Sequence, residues 1–225
     1  MRAQSENAAD FMGRAEGFAE VDLWQDSPIR LSWPPEQGWR DATAMLRAMF
    51  APEESVCCGG GNRWAVRTRE AWCGRFRRGV SIPPLVMANP VAGGEVWPEA
   101  AKVAGFRHCV VEVDGLDFEE QVRFWVGSGM RKAMAASVAV GGGLAVVLRV
   151  EAGDGEEWLR RTADMHRRIF GGAARVANLH PGETLALAGA VHPTTGERQR
   201  LVFAGLELAG TDAATDAERD EGRTR

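Results

Sequence analysis

No apolar run of about 18 residues occurs anywhere in the chain, which excludes an ordinary membrane-spanning helix. The first residues, MRAQSENAADFMGRAEG, lack the apolar core of a secretory signal. A cytoplasmic location with no membrane partner is the resulting expectation. No internal repeat is visible. Positive charge is not in excess either: 27 Lys and Arg stand against 31 Asp and Glu, for a net charge of −4. Any attraction to nucleic acid must therefore come from a local patch. There are four cysteines, Cys57, Cys58, Cys73 and Cys109, and no C-x-x-C pair. A zinc site from Cys57, Cys73 and His108 is conceivable on ligand type. Buried free thiols in a reducing compartment are the simpler reading.

What is present suits a globular chain. At 225 residues, with 45% hydrophobic and 26% charged residues, it can bury a substantial core. Residues 1–20 read as a leader, mobile or weakly helical. Residues 21–209 read as one domain, and 210–225 as a disordered polar tail. VDLWQDSPIRL suggests a short strand and turn. A helix follows Pro34 and Pro35, its apolar face made by Trp39, Met45, Leu46, Met49 and Phe50, and Pro52 ends it. CCGGGNRW reads as a glycine-rich turn, and IPPLVMANPVAGGEVWP as an extended loop.

The central unit is a strand over 107–114, a helix over 117–126, a strand over 133–140, a glycine turn and a strand over 144–150. Asp117 and Glu120 form a capping-box pattern. A second capped helix starts at Asp154 and Glu157, with Trp158, Thr162, Met165 and Ile169 on one face. RQRLVFAGLELAG supplies a last strand. The expected fold class is α+β, a mixed sheet with flanking helices.

Two features carry chemistry. In CVVEVDGLDFEEQVRFW, strand alternation puts Val110, Glu112 and Asp114 on one face and Cys109, Val111 and Val113 on the other. Carboxylates two apart lie roughly 6–7 Å apart at Cα, and could share Mg²⁺ or Mn²⁺ with substrate phosphates. A strand end dipping into solvent is the competing reading. In RWAVRTREAWCGRFRR, Arg63, Arg67, Arg75, Arg77 and Arg78 alternate with Trp64, Trp72 and Phe76. That pattern suits phosphate contact with base stacking, or else a solvated face whose aromatics pack inward.

From FRHCVVEVDGLDFEEQVRFW through the glycine turn, LRV, DGEEW and LAGAVHPTTGERQRLVF, the chain resembles the archaeo-eukaryotic primase-polymerase superfamily. The nearest likeness is to the domains of phages, plasmids and other mobile elements. The resemblance spans roughly residues 20–205 and includes VDLWQDSPIRL, LRAMFAPEESVCCGG and MANPVAGGEVW. It implies an RRM-like catalytic core in which Glu112 and Asp114 are the catalytic metal ligands for Mg²⁺ or Mn²⁺. Gln121 would lie in the helix that follows.

The resemblance also shows departures. The family's Ser-Gly-Gly-Lys-Ser-x-His turn reads SVAVGGGLAVVLRV here, so the histidine position falls on Ala145 and the turn has no lysine. Gly141, Gly142 and Gly143 remain as nucleotide-binding backbone. In the third motif Glu183, Ala186 and Ala188 replace arginine, arginine and proline, and no third acid lies in the expected window. His180 and His192 read as structural, and Arg198 and Arg200 as facing phosphate or solvent. The implied function is a DNA primase/polymerase-like replication protein whose nucleotidyl transfer is weak or lost. Its partners would be a DNA template and nucleoside triphosphates, with any helicase on another chain. A non-catalytic nucleic-acid or replication-partner module on the same fold, and a different metal-dependent phosphoryl-transfer enzyme or nuclease, are the alternatives.

Overall fold

Local signals set three of the helix starts. In the computed structural model, which describes residues 2–3, 7–31, 38–93, 102–171 and 180–206, Thr68, Asp117 and Asp154 each accept a first-turn N–H at the start of a helix. The chain opens with β1 (Arg2–Ala3), α1 (Ala8–Arg14), α2 (Glu20–Gln25) and α3 (Gly38–Met49). Next come β2 (Ser55–Gly60), β3 (Arg63–Thr68), α4 (Arg69–Arg77), β4 (Leu85–Met87) and β5 (Phe106–Val113). Then follow α5 (Phe118–Gly127), a 3-10 turn (Met130–Ala133), β6 (Met134–Val140), β7 (Gly143–Ala152) and α6 (Gly155–Phe170), and last β8 (Thr184–Ala186) and β9 (Arg200–Ala204). The capping box of α5 is present: Glu120 N–H donates to Asp117, and Asp117 N–H to Glu120. Asp154 accepts from Glu157 N–H at the start of α6.

The strands form two sheets. The first has the order β1-β5-β7-β6-β9, antiparallel except for the parallel β1–β5 pair. The second has the order β3-β2-β4-β8 and is antiparallel throughout. The class is α+β, as expected, but the strands divide between two sheets where a single mixed sheet was expected. Period-2 alternation divides the core. Cys109, Val111 and Val113 of β5, with Val146 and Leu148 of β7, pack with Val122, Phe124 and Trp125 of α5 and Trp158 and Ile169 of α6. Val110 and Val147 face the other way, toward Met45, Leu46 and Met49 of α3 and toward Val56 and Val86 of the second sheet. A buried asparagine joins the sheets. Asn89, just after β4, accepts from Arg107 and His108 N–H and donates to the carbonyls of His108 and Pro181.

Several local expectations give way to tertiary context. VDLWQDSPIRL does not begin as a strand. Residues 20–25 are helical, with Ala19 N–H donating to Asp22 and Leu23 fully buried. Most of CCGGG is strand β2, paired with β3 from Ser55–Thr68 to Gly60–Arg63. Gly59 fits in that strand because Trp64 lies against it: a Cβ there would sit 2.5 Å from Trp64 Cδ2. The turn shrinks to Gly61 and Asn62. The expected loop after Ile82 contains β4, which pairs with both β2 and β8. Within the expected leader, α1 buries Phe11 against Phe124, ring centroids 5.4 Å apart. The tail over 210–225 lies outside the described residues. Among the described residues no helix is long and apolar enough to cross a membrane.

Candidate functional site

The acid pair sits where β5 ends. Glu112 is the next-to-last residue of the strand, half-buried, and Asp114 is exposed in the bend just beyond it. Glu112 follows Val110 on the face that looks away from α5 and α6. Its cross-strand partner on β7 is Ala145, and its partner on β1 is Arg2. Asp114 lies past the ladder, so the strand alternation that sets Glu112's face does not extend to it. The donors are hard carboxylate oxygens, the class that Mg²⁺ and Mn²⁺ prefer. Among the described residues no group of three or more His, Cys, Asp or Glu could hold a metal ion. Two carboxylates alone would leave most of a divalent ion's shell to substrate oxygens or water.

The glycine turn is a two-residue hairpin. Val140 pairs with Gly143, and Gly141 and Gly142 have φ of 54° and 85°. Positive φ at both central positions is the conformation that two-residue hairpins favour and that glycine adopts without strain. Gly143 begins β7, and Gln121 of α5 accepts from the N–H of the next residue, Leu144, at 2.8 Å. That bond ties the turn to the helix after the acid pair. Gly141 and Gly142 border a cavity shared with Arg198 and Arg200, at the end of the sheet where Asp114 also lies.

Behind this end stands Asp41 of α3, only 2% exposed. It accepts from Leu201 N–H at 3.3 Å. Burial pushes its carboxyl up from the usual 3.8 to about 6, against the lowering by that hydrogen bond and by Arg198 and Arg200. Sequence reasoning does not single out Asp41; its signal is an acid one helical turn before Met45, within an apolar stripe.

The arginine segment is divided by the fold. Arg63 and Arg67 are exposed on β3, an edge strand of the second sheet, and Arg77 and Arg78 are exposed at the end of α4. Arg75 is half-buried. The aromatics between them pack inward: Trp72 and Phe76 are buried and stacked at 5.6 Å, and Trp72 Nε1 donates to Val56 O. Arg67 lies over Trp72, 5.7 Å from the ring centroid. Trp72 and Phe76 thus cannot stack on bases. Trp64 is half-buried and donates to Gly61 O.

The cysteine grouping does not form a zinc site. Alternation along β2 sends Cys58 into the core beneath α3 and α4, where Cys73 lies, and Cys57 to the opposite face with Met87 and Val91. All four thiols are free and buried. Burial raises each of them, Cys109 to about 12, which makes them poor nucleophiles. His108 is fully buried with Nδ1 3.0 Å from Ala88 O, and burial lowers it to about 3. His180 and His192 close local turns, each Nδ1 accepting a backbone N–H, from Gly182 and Thr195. No family model matches the chain, and no curated protein or solved structure matches it.

Proposed function

We propose that the chain is a primase/polymerase-like replication protein of a phage or mobile element, with slow metal-dependent nucleotidyl transfer. One observation supports this reading above the others: Glu112 lies directly across from Ala145. The resemblance assigns these two positions to the first acid and to the phosphate-contacting histidine of the primase-polymerase core. Their adjacency is what such a site requires. The glycine hairpin and Asp114 lie at the same end of the sheet.

Each residue has a defined task in this reading. Glu112 and Asp114 hold Mg²⁺ or Mn²⁺ jointly with the nucleotide's phosphates. The ion, when bound, supplies positive charge that stabilises the charge developing on the transferring phosphoryl group. The amides of Gly141 and Gly142 lie outside the strand ladder and can donate to phosphate oxygens. The alanine at 145 supplies no donor, and losing one such donor typically costs about 10²–10³ in rate. Slow chemistry follows. Primer extension on a DNA template with Mn²⁺ tests the reading. It should run far below the roughly 1–10³ per second typical of enzymes, and Asp114→Ala should abolish it. No metal-dependent extension, or extension equal in the Asp114→Ala variant, would overturn it.

A non-catalytic nucleic-acid module is favoured by a separate observation. Arg63, Arg67, Arg77 and Arg78 remain exposed on the second sheet and α4. Salt-sensitive DNA binding without extension would select this second reading.

A further inference from the structure

A cavity of about 350 Å³ opens where the β6–β7 hairpin meets the start of β9 and the loop before it. That is the low end of the size range of small-molecule sites. Its walls are unlike a chance surface dip in three respects.

First, it holds prearranged donors. Arg200 is fixed by an ion pair with Glu20 of α2, and its guanidinium lies over the Phe118 ring, 6.0 Å from the centroid. Arg198 uses one N–H on Gly189 O at 2.6 Å and borders the cavity. His192 Nδ1 accepts from Thr195 N–H at 3.2 Å, so a neutral ring carries its proton on Nε2, as a donor. The Gly141–Gly142 turn borders the same space.

Second, two residues with acceptor oxygens line the cavity. Gln199 lines it, is only 2% exposed, and its Oε1 is buried with no hydrogen-bond partner. A buried acceptor without a partner inside the protein can take a donor from a ligand or water. Glu197 provides a second acceptor on the rim. Third, the charges nearly balance. Glu20 and Glu197, with Asp41 behind them, offset Arg198 and Arg200, so a bare anion gains little. A ligand with phosphate at one end and hydroxyl or amino groups at the other satisfies both sets.

We propose that this cavity binds a nucleoside phosphate without a metal ion. Arg198, Arg200 and His192 take the phosphate, and Gln199 and Glu197 take donors of the nucleoside. The proposal rests on the nucleotide reading of the glycine turn, and adds a binding site that needs neither Glu112 nor Asp114.

The test is calorimetric titration in EDTA with AMP, adenosine and inorganic phosphate. AMP should bind about tenfold tighter than either fragment, because both ends of the cavity then contribute. Gln199→Leu should weaken AMP about tenfold, the effect of one lost hydrogen bond, and leave phosphate binding alone. Its melting temperature should not fall, since the change removes an unsatisfied buried acceptor. Arg198→Gln should weaken AMP and inorganic phosphate alike. AMP binding no tighter than the fragments, or unchanged in Gln199→Leu, would overturn the proposal. AMP binding in EDTA by a protein that extends no primers supports the cavity and refutes the catalytic reading. Primer extension by a protein that does not bind AMP in EDTA does the reverse.

Discussion

Replacing Asp41 with asparagine should stabilise the protein at neutral and alkaline pH and do almost nothing in acid. The carboxyl is buried between α3 and β9 with one hydrogen bond, from Leu201 N–H. Its folded-state value of about 6 lies above the ordinary 3.8. The folded state therefore binds the proton more tightly, and this contribution to stability is present below about pH 4 and lost as the pH rises through about 6. At about 1.36 kcal/mol per pH unit, the gap amounts to about 3 kcal/mol. Asparagine keeps an oxygen for Leu201 N–H and never ionises. Asp41→Asn should thus match the wild type at pH 4 and exceed it by up to about 3 kcal/mol at pH 8. For a chain of this size that is roughly 6–12 °C in melting temperature. The difference between the two proteins must be followed, because His108 and His166 act in the opposite sense. Burial lowers them to about 3 and about 4, so their contribution fades as the pH falls below 6.5. Those terms cancel in the comparison. Urea titrations of both proteins from pH 4 to 8 measure it. A variant less stable than the wild type at pH 8 would show that the ionised carboxylate is well paired with Arg198 and Arg200, and would refute the reasoning. A difference that does not change with pH would refute it equally.

Other outcomes follow from close contacts and exposed charge. In Gly127→Ala the new Cβ would lie 1.8 Å from Phe11 O, so α1 should lift from α5 at a cost of about 1–3 kcal/mol, read as faster amide exchange over residues 8–14. Gly189→Ala combines φ of +83° with a Cβ 1.8 Å from Gly38 O and should cost more, about 3 kcal/mol or above by denaturant unfolding. Single-stranded DNA binding should weaken with salt, with a slope of about 0.7 per phosphate neutralised, and Arg63, Arg67, Arg77 and Arg78 changed together to alanine should flatten that slope. Equal slopes would remove these arginines from the interface.

Some of this architecture could be read directly from the chain because the interactions behind it are local. Caps at Asp117 and Asp154 satisfy N–H groups three residues away, so their pattern is visible in any short window. The faces of β5 follow from a period of two, which sets Glu112 opposite Cys109, Val111 and Val113 whatever the strand packs on. The same local reasoning failed where a distant contact outweighed it. Glycines 59 and 60 suggest a turn until Trp64 packs on β2 and the ladder extends to Gly60. LVM at 85–87 is too short to announce a strand, and becomes one only between β2 and β8.

The candidate site divides along the same line. The sequence alone determined an acid pair at a strand end, a glycine hairpin, and an arginine run interleaved with aromatics. Only the tertiary structure decided what these groups face. It turned Trp72 and Phe76 into core, left Arg63 and Arg67 on an edge strand and put Arg77 and Arg78 at the end of a helix. It brought Asp41 to Leu201 across 160 residues, and set Gln199, Arg198 and Arg200 beside Gly141 and Gly142. The physical reason is that periodicity and capping are set within a few residues. Burial, and the electrostatics that follow from it, depend on which segments pack together, and no local window contains that information.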